Sequence, residues 1–163
     1  MLFMGIDVGT QGVRCVVSDE QGNLAAAKSV AFAQMNIAQE RGLYEQSPAD
    51  WKNAAEEAIR ACTAQLKDAG TDPAEIRSIS IDATSGTIVP LDRDFQPLTN
   101  GLMYNDPRAK AEAAAVHAAM GAHEKKLGLK FGASFSLPRV LWFLKQRPEI
   151  YEKPAYLPIR PTM

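Results

Sequence analysis

The residues with the clearest chemical potential lie in the first fourteen positions. Residues 5–14 read Gly-Ile-Asp-Val-Gly-Thr-Gln-Gly-Val-Arg, which places Asp7 near the end of a short apolar run. Gly9 and Gly12 allow a tight turn after it, because glycine permits close backbone approaches. In such a turn, the amide groups and the Thr10 hydroxyl can face phosphate oxygens. Asp7 can hold a hard cation, either directly or through water.

The same residues also suit an ordinary hairpin in which Asp7 only caps the turn. The apolar run at Cys15–Val17 predicts a strand that returns beside the first one in either case. Short motifs often match by chance. A choice between the two interpretations therefore depends on the rest of the chain.

Length and composition exclude several classes of protein. The 163 residues fit one domain, and a net charge of −1 favours neither nucleic acid nor an anionic membrane as a partner. No apolar stretch approaches the length of a membrane span, and no basic leader precedes the first apolar residues. We therefore expect a cytoplasmic protein. Cys15 and Cys62 are expected to be buried thiols, and His117 and His123 to lie on the surface.

The pattern of apolar residues predicts an α/β fold that opens with three antiparallel strands, the third at residues 24–32. A polar loop at 34–46 precedes a helix that begins at Ser47-Pro48, where Ser47 is a good N-cap, and ends at Gly70. One face of this helix is apolar. Its members are Trp51, Ala55, Ala58, Ile59, Cys62 and Leu66.

The second half of the chain alternates strands and helices. Strands are predicted at 76–81 and 87–91, and Pro107 is expected to open an Ala-rich helix that ends near Met120. A second amphipathic stretch covers 137–146. Its apolar face is predicted to consist of Leu137, Val140, Leu141 and Leu144. Trp51 and Trp142 fall on apolar helix faces, so both are expected in the core rather than in a site.

Three segments together, by their order and spacing, resemble the FGGY carbohydrate kinases, which have the actin-like, ribonuclease-H-like ATPase fold. The segments are residues 5–14, residues 44–51, and residues 79–86 followed by 103–108. The resemblance extends to about Tyr156. Members of this family run to roughly three times this length, with two actin-like domains and an active-site cleft between them. The chain is therefore similar to the N-terminal part of the first domain.

The chain is interpreted as two parts, of which only the first, up to residue 156, resembles the family. Residues 1–156 are interpreted as a partial N-terminal kinase domain. Residues 157–163 contain two prolines within four positions, which do not suit a central strand. A frameshift or an early stop would explain this tail, and a natural divergent tail is the alternative.

The resemblance implies an ATP-dependent sugar kinase that phosphorylates a pentulose, ribulose- or xylulose-like, or a related polyol, with Mg²⁺ as the metal. Asp7 would organise the metal, while Gly9, Thr10 and Gln11 would line the turn that binds the ATP phosphates. Arg14 would lie near that turn, or would form a surface or structural ion pair instead. The family's catalytic base lies in a later segment and its adenosine-binding motifs lie in the second domain. The fragment alone is therefore expected to be inactive, and the full-length protein could be a homodimer.

The sugar-facing residues implied by the resemblance fall into two groups. The first contains Asp82, Thr84, Ser85 and Gly86. Where xylulokinase-like members have a Met-His pair and glycerol kinase has an Arg-Glu pair, this chain has Ser85 and Gly86. The Asp-Ala-Thr string is instead similar to ribulokinase-type members. The alternative interpretation of this segment is a polar bend between strands.

The second group is the loop that contains Tyr104, Asp106 and Arg108. Tyr104 takes the place of the family's usual Trp, whose ring packs on a polyol. Asp106 and Arg108 match the acid and the base of that loop. One of them could bond the sugar while the other holds the loop through an ion pair.

A second function remains open at this point. The chain could be a non-catalytic nucleotide-binding or interaction module built on the actin-like fold, which would need no catalytic base. The two functions differ in whether the missing Asp segment accompanies this sequence.

Overall fold

The computed structural model describes residues 1–152, with side chains through residue 150. In chain order the strands are β1 (Leu2–Val8), β2 (Gly12–Asp19), β3 (Leu24–Ala31), β4 (Glu45–Gln46), β5 (Ile76–Ala83) and β6 (Gly101–Leu102). The helices are α1 (Pro48–Asp68), α2 (Lys110–Leu127), α3 (Ser136–Gln146) and α4 (Pro148–Glu152). The tail predicted at 157–163 lies outside the described residues.

The chain forms two compact units. The first unit contains Met1–Met35 and Ala49–Thr84, and the second contains Asn36–Pro48 and the described residues from Ser85 onward, up to residue 152. None of the helices within residues 1–152 combines the length and the hydrophobicity that a bilayer crossing requires.

A four-stranded sheet in the order β3-β2-β1-β5 forms the first unit. The pairs β1–β2 and β2–β3 are antiparallel, which confirms the predicted three-stranded meander. The pair β1–β5 is parallel, and α1 lies between these two strands in the chain. A parallel pair needs a crossover connection of this kind, because a hairpin can join only antiparallel strands.

Alternate residues of the strands pack against one face of α1. The buried residues alternate along the strands and recur every three or four residues along α1, as the sequence predicted. The buried members are Leu2, Met4, Ile6, Val13, Cys15, Val17, Ala26, Ala54, Ala58, Cys62 and Leu66, with Phe32 just after β3. Both cysteines are free and buried, as expected. Burial raises the pKa of the Cys15 thiol to about 12, so this thiol stays protonated.

Strands β4 and β6 pair in the second unit, and α2, α3 and α4 follow them. A separate core forms around Ile88, Leu102, Phe143 and Ile150. Trp51 packs partly buried against the first core and Trp142 against the second. His117 and His123 are exposed, as predicted, and His117 pairs with Glu124.

Three predictions for this part of the chain are wrong in detail. Residues 87–91 form no strand, because Ile88 makes a single bridge to Leu102 and Pro90 has no amide hydrogen to continue a ladder. Helix α2 begins at Lys110 and continues past Gly121 to Leu127. The buried face of α3 is Pro138, Arg139 and Phe143, whereas Leu137 and Leu144 are exposed.

Gly12 provides a test of the contact between β2 and β3. A Cβ atom at Gly12 would lie 2.2 Å from the Val30 carbonyl oxygen and 2.9 Å from the Ala31 Cα. Because backbone atoms must then move, Gly12→Ala should lower the free energy of unfolding by about 2 kcal/mol or more. Gly5→Ala is the matched control, since its Cβ would meet only the Val16 side chain at 3.4 Å. Urea denaturation of both variants that gave equal midpoints would contradict this packing.

Candidate functional site

Three charged side chains lie side by side on the first sheet. Asp7 of β1 is opposite Arg14 of β2 on one side and opposite Asp82 of β5 on the other. Residues opposite each other on neighbouring strands share a face. Ile6 next to Asp7 is buried against α1, so the three charges lie on the face turned away from that helix. We call Asp7, Arg14 and Asp82 the phosphate-side cluster.

An ion pair joins two members of this cluster. Arg14 Nη1 donates to Asp7 Oδ2 at 3.0 Å, and both side chains are about half exposed. The cluster borders a shallow pocket of about 340 Å³. The residues lining that pocket are Gly5, Ile6, Asp7, Arg14, Val16, Ser80 and Asp82. Exposure leaves the Asp7 carboxylate accessible to a ligand that approaches from this face.

Backbone bonds hold the turn between β1 and β2. The Gly9 amide donates to the Gly12 carbonyl at 3.0 Å, and the Phe32 amide donates to the Gln11 carbonyl at 3.0 Å. The Thr84 amide and hydroxyl both donate to the Val8 carbonyl, at 3.2 Å and 3.4 Å. These hydrogen bonds therefore hold both the turn and the end of β5 close to the carboxyl end of β1.

The donor set of the phosphate-side cluster suits magnesium, which needs few protein ligands. It suits less well a metal that protein side chains alone must hold. No group of three or more His, Cys, Asp or Glu side chains suited to a metal occurs among the described residues. Mg²⁺ keeps several waters and is commonly bound by one or two carboxylates together with substrate phosphates. Asp7, with Asp82 on the neighbouring strand, meets that requirement.

Asp106, in the second unit, is 1% exposed and accepts four hydrogen bonds. Its Oδ1 accepts from the Arg108 amide at 2.9 Å and from Arg108 Nε at 2.8 Å. Its Oδ2 accepts from the Tyr44 amide at 2.7 Å and from Arg108 Nη2 at 2.9 Å. Burial alone would raise the pKa of Asp106, but these bonds outweigh it and the pKa lies below its ordinary value. In this arrangement the carboxylate anchors the loop.

Arg108 extends the same network. Its Nη2 also donates to Glu45 Oε1 at 2.8 Å, and its guanidinium lies 5.1 Å from the centre of the Trp142 ring. The contact with Asp106 has the bidentate form that orders an Arg–carboxylate pair. Arg108, Glu45 and Trp142 all border a cavity of about 600 Å³. Arg108 therefore links three segments of the second unit.

Arg139 is a central residue that sequence reasoning missed. It is fully buried at 0% exposure, and within residues 1–150 its guanidinium donates to backbone carbonyls. The acceptors are the carbonyls of Ala133 at 2.8 Å, Leu102 at 3.3 Å, Asp106 at 3.4 Å, and Gly86. Burial lowers the pKa of Arg139 to about 10, which still leaves it charged at neutral pH. Its spacing of four from Phe143 is the signal that places both on one helix face.

Gly86 packs closely against Ser134, in the segment just before α3. Its φ is +74°, and a Cβ atom there would lie 2.5 Å from the Ser134 carbonyl oxygen and 3.4 Å from Tyr104 Cβ. Only glycine suits this combination of left-handed backbone and close approach. Ser85 and Tyr104 are exposed. Of the predicted sugar-facing residues in this unit, Ser85 and Tyr104 are therefore accessible, whereas Asp106 is buried and Arg108 is only partly exposed.

Comparison with known proteins identifies the family. A family model described as the FGGY family of carbohydrate kinases, N-terminal domain, matches residues 2–159. The chain belongs to the FGGY family of carbohydrate kinases, and its match lies in the N-terminal domain of that family.

Individual relatives agree with this assignment. A xylulose kinase of Bacillus subtilis (strain 168) is 28% identical over 93% of this chain and 30% of its own length. A D-ribulokinase of Saccharomyces cerevisiae is 23% identical over 98% of this chain and 24% of its own length. The chain thus spans less than a third of the length of these relatives.

Solved structures confirm the fold. A crystal structure of a xyloylose kinase from Brucella ovis has a TM-score of 0.85 at 25% identity, covering 98% of this chain and 33% of that one. The Plasmodium falciparum glycerol kinase with ADP also reaches 0.85, at 24% identity, covering 96% and 32%. The predicted class, the N-terminal part of an actin-like ATPase fold, is confirmed.

The buried carboxylate at Asp106 predicts a specific response to acid. Its lowered pKa means that its stabilisation is complete above the unfolded value of about 4 and is lost as pH falls through the lower folded value. Asp106→Asn should cost about 3 kcal/mol at pH 7, because it leaves Arg108 buried without its main partner. The variant should also lose this part of the acid dependence in urea titrations from pH 7 to pH 2. Asp94→Asn, an exposed carboxylate in the same unit, should follow the parent protein. A D106N profile parallel to the parent would contradict the assignment.

Arg139 should be among the most sensitive positions in the second unit. Arg139→Met should lower the free energy of unfolding by about 3 kcal/mol or more, since it leaves buried carbonyl groups without donors. Gln146→Met is the control on the same helix, since the Gln146 side chain is exposed, and it should cost less than about 1 kcal/mol. Equal losses in thermal and urea unfolding would show that the buried guanidinium has no special role.

Proposed function

We propose that this chain supplies phosphate-side and sugar-side residues of an ATP-dependent sugar kinase. The reaction transfers the γ-phosphoryl group of ATP to a primary hydroxyl of a pentulose or a related polyol. The observation that carries this proposal is the accessible Asp7 carboxylate at the end of β1, directly before the tight turn closed by Gly9 and Gly12. The family membership of the chain supports the same chemistry.

Asp7 is assigned to the metal and its waters. Mg²⁺, when bound, would neutralise charge on the phosphates during transfer. The role of the protein is to keep the carboxylate oriented, which the 3.0 Å bond from Arg14 does. The turn residues Gly9, Thr10 and Gln11 are proposed to face the ATP phosphates. Asp7 and Arg14 both lie on strands of the sheet, and a site built on strands is held more precisely than a site built on loops.

Arg14 can serve both of the roles considered for it. The ion pair with Asp7 uses one guanidinium nitrogen, Nη1, and the side chain is half exposed. A guanidinium has five donor hydrogens, so a bond to Asp7 leaves donors for a phosphate oxygen. We therefore assign Arg14 to orienting Asp7 and to contacting phosphate.

On the sugar side, Ser85 and Tyr104 are proposed to contact the substrate, because both are exposed. Asp106 and Arg108 are proposed to position the Tyr104 loop, since their bonding capacity is directed to each other and to Glu45. Direct contacts from Asp82 and Thr84 to the sugar stay predictions.

Among sugars, we propose a preference for ribulose or a similar pentulose over xylulose. The basis is the hydroxyl of Ser85 at a position where xylulokinase-like members have a larger pair. The space beside Gly86 is filled by Ser134 backbone, so Ser85 and Tyr104 define the accessible surface. A site that bonds a particular hydroxyl discriminates against an isomer that leaves its polar groups unpaired. A cytoplasmic location and a homodimer of the full-length protein belong to the same proposal.

A chimera tests the activity. Residues 1–156 would replace the matching part of the Bacillus subtilis xylulose kinase, which supplies the remaining segments. The chimera should release ADP in a sugar-dependent manner, whereas the 163-residue chain alone should not. Asp7→Asn in the chimera should lower kcat by about 100-fold with little change in sugar KM, because electrostatic contacts to the transition state are lost. Asp68→Asn, an exposed carboxylate at the end of α1, should leave kcat unchanged.

The same chimera tests the sugar. Relative to the Bacillus enzyme, the kcat/KM ratio for ribulose over xylulose should rise by about tenfold, with glycerol as a further comparison. A ratio equal to that of the parent would contradict the assignment of Ser85. A cooperatively folded chimera without kinase activity would contradict the proposed function and favour a non-catalytic module.

A further inference from the structure

The Gly86 turn and the Tyr104 loop approach each other without a strand ladder. An isolated antiparallel bridge joins Ile88 to Leu102, and each amide donates to the other's carbonyl, at 3.1 Å and 2.8 Å. Residues two positions beyond such a bridge also lie opposite each other, so Gly86 faces Tyr104. A Cβ atom at Gly86 would accordingly lie 3.4 Å from Tyr104 Cβ. Within residues 1–150, however, the strand pairing does not continue to these two residues.

The guanidinium of Arg139 bonds both segments at the point where the ladder stops. Its Nη1 donates to the Gly86 carbonyl and also to the Leu102 carbonyl, the latter at 3.3 Å. Its Nη2 donates to the Asp106 carbonyl at 3.4 Å, on the other side of Tyr104. One side chain therefore holds the turn at Gly86 and both flanks of Tyr104.

The shape of the guanidinium fixes the spacing of these carbonyls. Its five donor hydrogens form a rigid planar fork, whereas a lysine ammonium is a point charge with three donors on a flexible stem. Nε of Arg139 donates to the Ala133 carbonyl at 2.8 Å, so the fork is itself held by the segment before α3. The whole side chain is buried. A buried network whose bonds are satisfied keeps its segments in one arrangement.

We propose that Arg139 is a positioning residue for the sugar, because it sets the separation between Ser85 and Tyr104. This proposal rests on the proposed function, in which both residues contact the substrate. Ser85 directly precedes Gly86, and Tyr104 is flanked on both sides by carbonyls that the guanidinium holds. A substrate that bridges the two side chains needs them at a fixed separation, since a misplacement of about 1 Å can lower a rate by about 100-fold.

Arg139 acts on sugar binding rather than on phosphoryl transfer. Its bonding partners at residues 86, 102, 106 and 133 all belong to the second unit, whereas the proposed metal ligand Asp7 belongs to the first. Because Arg139 is buried, its effect on the substrate passes through the segments that it holds. A change at this position should therefore alter the sugar KM and leave the ATP KM and kcat nearly unaltered.

Arg139→Lys in the chimera with the Bacillus subtilis enzyme tests this role, because it keeps the charge and removes the fork. The sugar KM should rise by about tenfold or more, while the ATP KM and kcat stay within about twofold. Val116→Ala is the matched control for a loss of stability, since Val116 is buried on α2 and none of the proposed sugar contacts lies on that helix. It should leave all three constants unchanged.

Spin labels measure the separation of the two segments in the 163-residue chain without any activity. Labels at Ser85→Cys and Asn105→Cys are suitable because both positions are exposed, whereas the native cysteines are buried and should not react. Dipolar broadening of the electron paramagnetic resonance spectrum should show one narrow separation in the parent and in V116A. In R139K the separations should cover a broad range, while circular dichroism shows that the helices remain.

Two results of the label experiment would overturn the proposal. One is a folded R139K variant with the same narrow separation as the parent. The other is a broad range of separations in the parent itself, which decides the question even if R139K does not fold.

The kinetic results separate this proposal from the proposed function. An active chimera in which R139K leaves the sugar KM unchanged, or in which V116A raises it equally, would contradict the role of Arg139 alone. A chimera that is inactive with Arg139 in place would contradict the proposed function, and with it any role of this residue toward a sugar.

Discussion

The buried guanidinium of Arg139 is the interaction on which the second unit depends. A charged group without exposure must be compensated by hydrogen bonds, because desolvation of an unpaired charge is very unfavourable. Arg139 meets this requirement with carbonyl oxygens from residues that are far apart in the chain. It thereby connects the end of the Gly86 turn, strand β6, the Asp106 loop and the approach to α3. These are the segments that present the proposed sugar-side residues.

Two aspartates illustrate how environment separates residues of the same type. Asp106 is enclosed and accepts bonds from Arg108 and from the Tyr44 amide, which keeps it ionised and unavailable to other ligands. Asp7 is half exposed and shares one oxygen with Arg14. A carboxylate of the first kind holds a loop in place, and one of the second kind can meet a ligand. The proposed roles follow from this difference in burial rather than from the sequence motif alone.

Local patterns predicted the first unit well and the second unit less well. The meander and α1 follow from alternation, helical spacing and an N-terminal proline, which are signals within a few residues of each other. The predicted strand at 87–91 is wrong because this segment makes only isolated bridges, at Ile88 and Leu91, and Pro90 has no amide hydrogen to extend a ladder. The predicted buried face of α3 is wrong because it consists of apolar residues alone, whereas the structure buries Arg139 and exposes Leu144.

Within the candidate site, too, local sequence predicts some residues, whereas others depend on distant segments. Residues near Asp7 could be recognised together because they are contiguous, and the register of β1 with β5 then adds Asp82. The anchoring role of Asp106 could not be predicted, since its partner Tyr44 is 62 residues away in the chain. The requirement for glycine at position 86 likewise depends on Ser134, which belongs to a distant segment.

The most direct measurement is the hydrogen exchange of the Arg139 side chain by nuclear magnetic resonance on ¹⁵N-labelled protein at neutral pH. Arg139 Nε donates to the Ala133 carbonyl at 2.8 Å from a fully buried position. Its Nε–H signal should therefore exchange much more slowly than that of Arg60, an exposed residue on α1. An Arg139 signal that exchanged as fast as that of Arg60 would contradict the central role of this buried guanidinium.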